Sequence, residues 1–337
     1  MNVLVDSKIP FIKGMIESVP GVAKAEYIAP EEFTRERVAD ADALFIRTRT
    51  RCNAALLEGS KVRFIGTATI GHDHIDRQWC AEHGITTTNA PGCNAPGVAQ
   101  WVFAAIAACL PACRPGQTTL GIVGVGHIGK IVERWARSIG FKVLLNDPPR
   151  AALEGPQGFV SLDEIASQAD IITFHTPLTH PPHEHASYHL CNANFLSKLA
   201  KRPLLLNAAR GAVVDTDALI AAHAASLTRD LCIDCWEGEP EIRKDLMDIA
   251  AIATPHIAGY SLEGKHRASA MLINSFRTWA GLPADAAIEA AVRVPNTPRS
   301  LEDISLNYNI LADDAMFRNE HTAMERLRNS YNYRHEP

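Results

Sequence analysis

An arginine, a glutamate and a histidine follow three successive apolar runs in the second half of the chain. They are Arg210, Glu239 and His256, each within a few positions of the end of its run. The runs are Leu204–Asn207, Leu231–Asp234 and Ile249–Thr254. Because open α/β sheets bind ligands beyond the carboxyl ends of their strands, the three side chains are predicted to converge on one crevice.

These residue types suit the removal of a hydride from a 2-hydroxy acid. Arginine can hold a carboxylate through two parallel hydrogen bonds and polarise the reacting C–O bond. Histidine can take the hydroxyl proton and return it in the reverse direction. A carboxylate beside the imidazole orients the ring and favours its charged form. Each residue also has a structural alternative, with Arg210 as a loop cap, Glu239 as a surface acid and His256 as a structural histidine.

A hydride acceptor is indicated by three glycines that follow another apolar run. Gly124, Gly126 and Gly129 stand in the order G-x-G-x-x-G, and an amphipathic segment comes next. In a dinucleotide site the first glycine permits the tight turn, the second lets the backbone approach a pyrophosphate, and the third lets the helix pack on the strand. The helix that opens near His127 would point free N–H groups at the phosphates. A glycine-rich turn in some other α/β protein is the alternative.

The identity of the nucleotide is indicated by Asp147, which ends the next apolar run. It lies 18 residues after Gly129, close to the spacing expected of an acid that accepts hydrogen bonds from the ribose hydroxyls. A carboxylate at this place repels a 2′-phosphate, so NAD is predicted rather than NADP.

Composition restricts the class of protein. A chain of 337 residues is expected to form two or three domains, and 47% hydrophobic with 21% charged residues is typical of a globular protein. A net charge of -5 gives no reason to expect nucleic acid or an anionic membrane as partners. The least polar stretch, Trp101–Ala112, is about half the length of a membrane span. Without a signal-peptide pattern, and with eight scattered cysteines, a cytoplasmic protein is expected.

Two groups of residues have the composition of metal or redox sites. Cys232 and Cys235 have C-x-x-C spacing, but residues three apart in a strand point to opposite faces. The histidines between His180 and His189 lie in a loop with two prolines and few other ligands. Because a metal site needs fixed ligand geometry, we predict a solvated loop and no metal.

The order of elements predicts an α/β protein with two parallel-sheet domains, Rossmann-like or flavodoxin-like, and a cleft between them. Residues 1–92 with 260–281 are predicted to form a substrate-binding domain, and 93–259 the NAD-binding domain. A helix is predicted over Ile9–Val19, and a long buried one over Val98–Cys109.

Several motifs together resemble the D-isomer-specific 2-hydroxyacid dehydrogenase family. The shared motifs are Gly124–Gly129, Asn207–Gly211, Glu237–Pro240 and Pro255–His256. Further motifs resemble a branch of the family that acts on a phosphorylated acid: Gly66–Thr69, Pro91–Ala95, Asp147–Arg150, Trp236–Pro240 and His256–Lys265. They cover the chain from Met1 to about Trp279, and the last is the most specific.

The resemblance implies a role for many individual residues. It makes Arg210, Glu239 and His256 the catalytic residues, with His256 as the proton donor. It implies NAD contacts beyond the three glycines, at His127, Ile128, Asp147, Thr176, Ala208, Ala209, Arg210, Asp234 and Gly259. It places Thr48, Thr69 and Tyr260 on the substrate. Thr48 stands where the family more often has serine, and Gln100 where a glutamate is expected, so a charge role at position 100 is in doubt.

A phosphorylated 2-hydroxy acid has two anionic ends and needs two cationic sites. Arg210 would serve the carboxylate. Arg47, Arg49 and Arg51 surround Thr48 just after a strand of the first domain, and one of them, with Arg47 as our first choice, is expected to meet the phosphate. A solvated charged turn is the alternative.

The family carries a C-terminal dimerisation domain, and residues 282–337 are predicted to be a shortened form of it. A homodimer is therefore expected. The alternative is a partly disordered tail on a dimer built by the nucleotide domains alone.

Two other functions remain open at the level of sequence. One is oxidation of a different 2-hydroxy acid, such as 3-phosphoglycerate, glyoxylate or hydroxypyruvate, by the same catalytic residues. The other is an NAD-sensing binding protein on the same fold, such as a transcriptional corepressor, which can retain those residues.

Overall fold

The structure is a computed structural model that describes residues 1–290 and 295–337. These residues form two compact units. The first contains residues 1–94 and the described part of 261–294, and the second contains residues 95–260 and 295–337. No helix in the described parts of the chain is long and apolar enough to cross a membrane.

Each unit is built on one parallel sheet, so the predicted α/β class with two parallel-sheet domains is confirmed. The strands in chain order are β1 (Asn2–Asp6), β2 (Lys24–Ile28), β3 (Ala43–Ile46), β4 (Phe64–Thr67), β5 (Thr86–Thr88), β6 (Thr119–Val123), β7 (Lys142–Asn146), β8 (Ile171–Phe174), β9 (Leu204–Asn207), β10 (Leu231–Ile233) and β11 (Ile252–Ala253).

The helices cover the faces of the sheets. In chain order they are α1 (Arg35–Val38), α2 (Ala54–Leu57), α3 (Arg77–Glu82), α4 (Ala95–Cys109), α5 (His127–Ile139), α6 (Pro148–Glu154), α7 (Leu162–Gln168), α8 (Ala193–Leu196), α9 (Thr216–Ala224), α10 (Lys244–Ile249), α11 (Leu262–Trp279), α12 (Ala286–Ala290), α13 (Leu301–Ser305), α14 (Ile310–Asn319) and α15 (Met324–Asn329). Short 3₁₀ turns lie at Pro30–Glu32, Pro115–Gln117, Gly211–Val213 and His321–Ala323.

The sheet of the first unit has the strand order β2-β1-β3-β4-β5, which is the flavodoxin-like order. Strands β3 and β4 are buried along their whole length, as expected of parallel strands that are covered on both faces. Helix α11 belongs to this unit and packs Leu272, Ile273 and Phe276 into its core.

The helix predicted over Ile9–Val19 is wrong, because these residues form a series of turns. Pro10 lacks an N–H donor, and Phe11 and Gly14 have φ angles of 61° and 88°, which a right-handed helix cannot accommodate. The apolar residues of the stretch are nevertheless buried: Ile9, Ile12, Ile16 and Val19. The spacing of these residues therefore correctly predicted that their side chains are buried, but it wrongly predicted a helix.

The sheet of the second unit has the strand order β11-β10-β9-β8-β6-β7, all parallel. The order reverses between β6 and β8, and ligands of open α/β sheets bind at such a reversal. Helix α4, predicted as a long buried helix, is buried from Ala95 to Ile106 and lies in the core of this unit.

Residues 295–337 are also part of the second unit, and the described residues between 282 and 294 belong to the first. Ile304, Tyr308 and Ile310 share a core with α4. Asp314 of α14 accepts a hydrogen bond of 2.7 Å from the backbone N–H of Ala253 on the edge strand β11. The segment thus covers the edge of the nucleotide-domain sheet. Its role in a homodimer stays a prediction.

Candidate active site

The glycine loop joins β6 to α5. Gly124 has a φ of +88°, and a Cβ on it would lie 2.7 Å from the carbonyl carbon of His175, while a Cβ on Gly129 would lie 2.1 Å from the carbonyl oxygen of Gly124. A Cβ on Gly126 would meet no atom within 4 Å. Gly126 is the N-cap of α5 and provides no side-chain cap, so the first N–H groups of the helix have no capping side chain as an acceptor. This geometry fits a pyrophosphate.

Thr176 follows β8 and lies beside the glycine loop. Its hydroxyl oxygen is buried and has no hydrogen-bond partner among the described residues. Buried polar atoms are rarely left unpaired, so this hydroxyl is well placed to bond to a bound nucleotide. The preceding His175 is buried, and burial lowers the pKa of its imidazole to about 3, which keeps the ring neutral.

Asp147 lies at the carboxyl end of β7, next to the glycine loop. Its Oδ2 accepts a 2.7 Å hydrogen bond from the backbone N–H of Val125, and its Oδ1 accepts one of 3.0 Å from that of Arg150. Each carboxylate oxygen has more than one acceptor site, so both can still accept from a ribose. The three glycines, Thr176 and Asp147 together fit a bound NAD.

Arg210 lies in the loop after β9, which is fixed by a single amide side chain. Asn207 accepts a hydrogen bond from the N–H of Ala209 at 3.1 Å and donates to the carbonyl of Arg210 at 3.0 Å. It also donates to the carbonyl of Cys235 at 3.3 Å. A Cβ on Gly211 would lie 2.0 Å from backbone atoms of Trp236. The Arg210 loop is therefore packed tightly against the segment that leads to Glu239.

Glu239 and His256 are in direct contact. The Nδ1 atom of His256 lies 2.7 Å from Oε2 of Glu239, and Oε1 of Glu239 accepts a 2.7 Å hydrogen bond from the backbone N–H of Trp236. His256 has a φ of 57°, an uncommon conformation for a residue with a side chain. Because Glu239 accepts a hydrogen bond from the Nδ1–H group, the Nε2 atom is left as the one that can exchange a proton with a substrate.

The charge on Glu239 is stabilised by its surroundings. Burial by itself would raise the pKa of the Glu239 carboxyl. The charge and hydrogen bond of His256, the N–H of Trp236 and the charge of Arg328 together outweigh burial and lower that pKa. An ionised Glu239 favours the imidazolium that forms when His256 accepts a proton.

Asp234 anchors the loop that carries His256. The buried carboxylate accepts hydrogen bonds from the hydroxyl of Thr254 at 2.6 Å and from the N–H groups of Ile257 and Ala258 at 2.8 and 3.0 Å. Burial raises the pKa of the Asp234 carboxyl. The predicted contact between Asp234 and NAD stays a prediction, and the observed role of this residue is to hold the catalytic loop.

Tyr260 ends the same loop and belongs to the second unit. Gly259 precedes it and is partly exposed, as is Tyr260 itself. In the glycine loop, His127 and Ile128 form the first turn of α5. Ala208 and Ala209 are buried immediately after β9. The predicted NAD contacts of the second unit therefore follow all six strands of its sheet, β6 to β11.

The other predicted substrate residues lie in the first unit, after two neighbouring strands. Thr48 is exposed just beyond β3. Thr69 follows β4, and its hydroxyl lies 2.7 Å from that of Thr67 and 2.8 Å from the carbonyl oxygen of Gly71. Arg47 forms an ion pair with the buried Asp6, with Nε and Oδ2 separated by 2.9 Å. Its guanidinium is therefore already held by a carboxylate.

Sequence reasoning missed most of the residues that hold the His256 loop. Trp101 of α4 donates to the hydroxyl of Thr254 at 3.0 Å, and Trp236 donates to the carbonyl of Thr254 at 2.8 Å. Arg334, near the end of the chain, donates to the carbonyl of Ile257 at 3.1 Å. One signal was present in the sequence: Gln100 departs from the expected glutamate, and its Oε1 accepts a 3.0 Å hydrogen bond from Arg334.

The groups predicted not to bind metal have other partners. Cys232 lies 3.5 Å, sulfur to sulfur, from Cys109 rather than pairing with Cys235. The imidazole of His189 lies 2.6 Å from Glu237. Within the described residues, the one set of potential ligand atoms close enough to share a metal is Cys235, Glu239 and His256, all within 4.8 Å of one another. Two of these three already share a hydrogen bond.

Comparison with known proteins gives the same assignment along the whole chain. Residues 105–258 match the family model "D-isomer specific 2-hydroxyacid dehydrogenase, NAD binding domain". The erythronate-4-phosphate dehydrogenase of Bacteroides thetaiotaomicron is 43% identical, over 100% of this chain and 97% of its own length. The enzyme of the same name from Porphyromonas gingivalis is 44% identical, over 84% of this chain and 76% of its own length.

Solved structures show the same fold. The D-lactate dehydrogenase from Aquifex aeolicus, complexed with NAD and lactic acid, superposes with a TM-score of 0.68 at 23% identity, over 86% of this chain and 98% of its own. The D-mandelate dehydrogenase of Rhodotorula graminis has a TM-score of 0.70 at 20% identity, over 82% of this chain and 93% of its own. The predicted resemblance is confirmed, and the chain belongs to the D-isomer-specific 2-hydroxyacid dehydrogenase family.

Proposed function

We propose that the protein oxidises 4-phospho-D-erythronate at C2 to (R)-3-hydroxy-2-oxo-4-phosphooxybutanoate, with NAD, in the synthesis of pyridoxal 5′-phosphate. The observation that carries the proposal is the 2.7 Å contact between Glu239 and the Nδ1 atom of His256, which follow β10 and β11 in the same parallel sheet as β6, the strand that leads into the glycine loop. The names of relatives about 43% identical over the whole chain support the particular substrate.

Residues of the second unit accept the hydroxyl proton of the substrate and bind the substrate carboxylate. His256 accepts the C2 hydroxyl proton at Nε2 as the C2–O bond becomes a carbonyl, and Glu239 stabilises the resulting imidazolium. Arg210 holds the substrate carboxylate and polarises the C–O bond. When bound, NAD supplies a nicotinamide ring that accepts a hydride.

The phosphate of the substrate needs a second cationic site, for which the arginines after β3 are the candidates. Arg47 is held by Asp6, whereas Arg49 is 42% exposed and its guanidinium lies 3.9 Å from Glu31. Arg51 is exposed. We expect replacement of at least one of the three by methionine to raise KM for the phosphorylated acid about tenfold, the usual worth of one charge-assisted hydrogen bond. If none of them raises KM, these arginines do not bind the phosphate.

A substrate panel tests the reaction. The protein and NAD would be mixed with 4-phospho-D-erythronate, 3-phospho-D-glycerate, D-glycerate and D-lactate, and NADH fluorescence would be followed. The proposal expects the highest kcat/KM with 4-phospho-D-erythronate. A higher kcat/KM with another acid would assign that acid instead, and absence of turnover with every acid would favour an NAD-sensing binding protein.

The two units are proposed to divide the work as predicted, with the first binding substrate and the second binding NAD. We also propose a homodimer formed through the C-terminal segment, because Leu306 and Leu311 are large apolar side chains that are 78% and 58% exposed there. Light scattering should show a dimer for the natural chain and a monomer for the double variant Leu306→Asp, Leu311→Asp. A dimer of unchanged stability in the variant would refute this interface.

A cytoplasmic location without nucleic acid or membrane partners is proposed on the same basis as the enzyme activity, since NAD and phosphorylated metabolites are found there. Fractionation of cells should recover the dehydrogenase activity in the soluble fraction, and recovery with membranes would contradict the proposal.

A further inference from the structure

The last residues of the chain are in contact with the loop between His256 and Tyr260. Arg334 is the centre of this contact. Its guanidinium donates hydrogen bonds to Gln100 Oε1 at 3.0 Å and to the carbonyls of Ile257 at 3.1 Å, Gly97 at 3.0 Å, Tyr260 at 3.4 Å and Ala258. Three of these five acceptors belong to the four residues that follow His256.

The position of Arg334 is itself fixed by aromatic and acidic side chains. The guanidinium carbon lies 4.1 Å from the centre of the Tyr308 ring, a cation–π contact. The hydroxyl of Tyr331 lies 3.3 Å from Nη1. Asp313 accepts hydrogen bonds from Tyr308 at 2.8 Å and from Tyr331 at 2.7 Å. A planar guanidinium held in this way has five N–H donors in a fixed arrangement and can bond to several backbone carbonyls at once, whereas a lysine ammonium has only three.

A second arginine of the same segment approaches the catalytic side chains. Arg328 lies in α15, its side chain is 23% exposed, and it pairs with Glu325 at 2.9 Å. Its positive charge acts on both Tyr260 and Glu239. The Tyr260 ring also lies 6.0 Å from that of Tyr331. The C-terminal segment therefore contacts both ends of the 256–260 loop.

We propose that Arg328 and Arg334 are positioning residues for catalysis, which we call the C-terminal clamp. Arg334 holds the backbone from Ile257 to Tyr260, and Arg328 provides a positive charge near Tyr260 and Glu239. The loop carries the proton acceptor at one end and a predicted substrate contact at the other. The clamp rests on the proposed function, because it acts on the residues assigned to the reaction. It gives the segment a role within one subunit, distinct from dimerisation.

The test compares two arginines of the same helix. Arg328→Met removes this charge from the clamp, and Arg326→Met is the matched control, because Arg326 is 62% exposed and pairs with Glu320 at the surface. Arg334→Met removes more contacts, but this variant can fail to fold. The result for Arg328→Met therefore decides the test. We expect Arg328→Met to lower kcat about tenfold or more, since small displacements of catalytic groups are costly, with KM for NAD unchanged. Arg328→Lys should recover part of the loss.

A second measurement does not depend on turnover. Amide hydrogen exchange of Ile257, Ala258 and Tyr260 in the protein without ligands should be at least severalfold faster in Arg328→Met than in Arg326→Met, at matched melting temperatures. The proposal is overturned if kcat of Arg328→Met is within twofold of that of the control. If the natural protein oxidises no 2-hydroxy acid, the proposed function fails, and the exchange rates alone decide: equal rates in the two variants then overturn the clamp.

Discussion

The glycine loop and the His256 loop are built by opposite means. The glycine loop keeps its shape because side chains are missing: at Gly124 and Gly129 a Cβ would lie under 3 Å from backbone atoms. The His256 loop keeps its shape because side chains are present, and they come from distant parts of the chain: Asp234, Trp101 and Arg334. The first loop can therefore be damaged by adding a single methyl group, and the second by removing a single polar group.

The two loops are expected to differ in their tolerance to change. The glycine loop is proposed to bind NAD through its backbone, and local sequence is enough to specify it. The His256 loop must hold an imidazole in a left-handed backbone conformation beside an ionised Glu239, which requires buried polar anchors. The four predictions below perturb one loop or the other.

The largest effect is expected in the His256 loop, from His256→Gln. This variant cannot accept the hydroxyl proton, and general base catalysis contributes about 10²–10⁴-fold, so kcat/KM should fall about a thousandfold. The dissociation constant of NAD, measured by fluorescence titration, should stay within a factor of two. A loss of NAD binding equal to the loss of activity would show that His256 acts mainly on cofactor binding.

In the glycine loop, Gly129→Ala introduces a Cβ against the carbonyl oxygen of Gly124, which cannot move without shifting the turn. We expect about 2–3 kcal/mol of destabilisation, the upper part of the usual range for overpacking, and weaker NAD binding. Urea unfolding and NAD titration measure both. Gly126→Ala is the matched control for stability, since its Cβ meets no atom within 4 Å, and equal destabilisation by the two changes would refute the steric account.

His175, beside the glycine loop, makes stability depend on pH. Its pKa is lowered to about 3 by burial, so between that value and its unfolded pKa the unfolded chain binds the extra proton and stability falls as pH falls. The expected contribution is a loss of about 2 kcal/mol between pH 7 and about pH 5. Urea unfolding should show that His175→Gln loses less stability over this interval than the natural chain. An equal loss in both proteins would mean that other groups cause it.

The smallest effect is expected from Asp234→Asn, which keeps the size of the side chain but removes acceptor capacity from a loop anchor. At least one of the donors that now bond to Asp234 loses its acceptor, at a cost of about 1–2 kcal/mol in the free energy of unfolding. A decrease of kcat by about tenfold should accompany it, because His256 shifts with the loop. An unchanged kcat together with weaker NAD binding would instead support the predicted contact of Asp234 with the cofactor.

Those features of the fold and of the site that depend on local sequence patterns could be predicted from the sequence. The strand–glycine–helix–acid order predicted the nucleotide half, and the residues following strands predicted the contact between Glu239 and His256. It failed at Ile9–Val19, where the apolar spacing was correct but Pro10 and Gly14 prevent a helix. It also missed Arg334, which is 77 residues from Ile257 along the chain, since no local pattern connects them. Gln100, which stands where a glutamate is expected, marked this part of the fold but did not indicate that Arg334 is its partner.

The central claim is that the imidazole of His256, held by Glu239, exchanges the proton of the substrate hydroxyl. A crystal structure with NAD and 4-phospho-D-erythronate bound tests it most directly. The account predicts Nε2 of His256 within about 3.2 Å of the C2 hydroxyl oxygen, with the 2.7 Å contact between Nδ1 and Glu239 retained. A C2 hydroxyl bonded to a different base, with the imidazole of His256 out of its reach, would contradict the account.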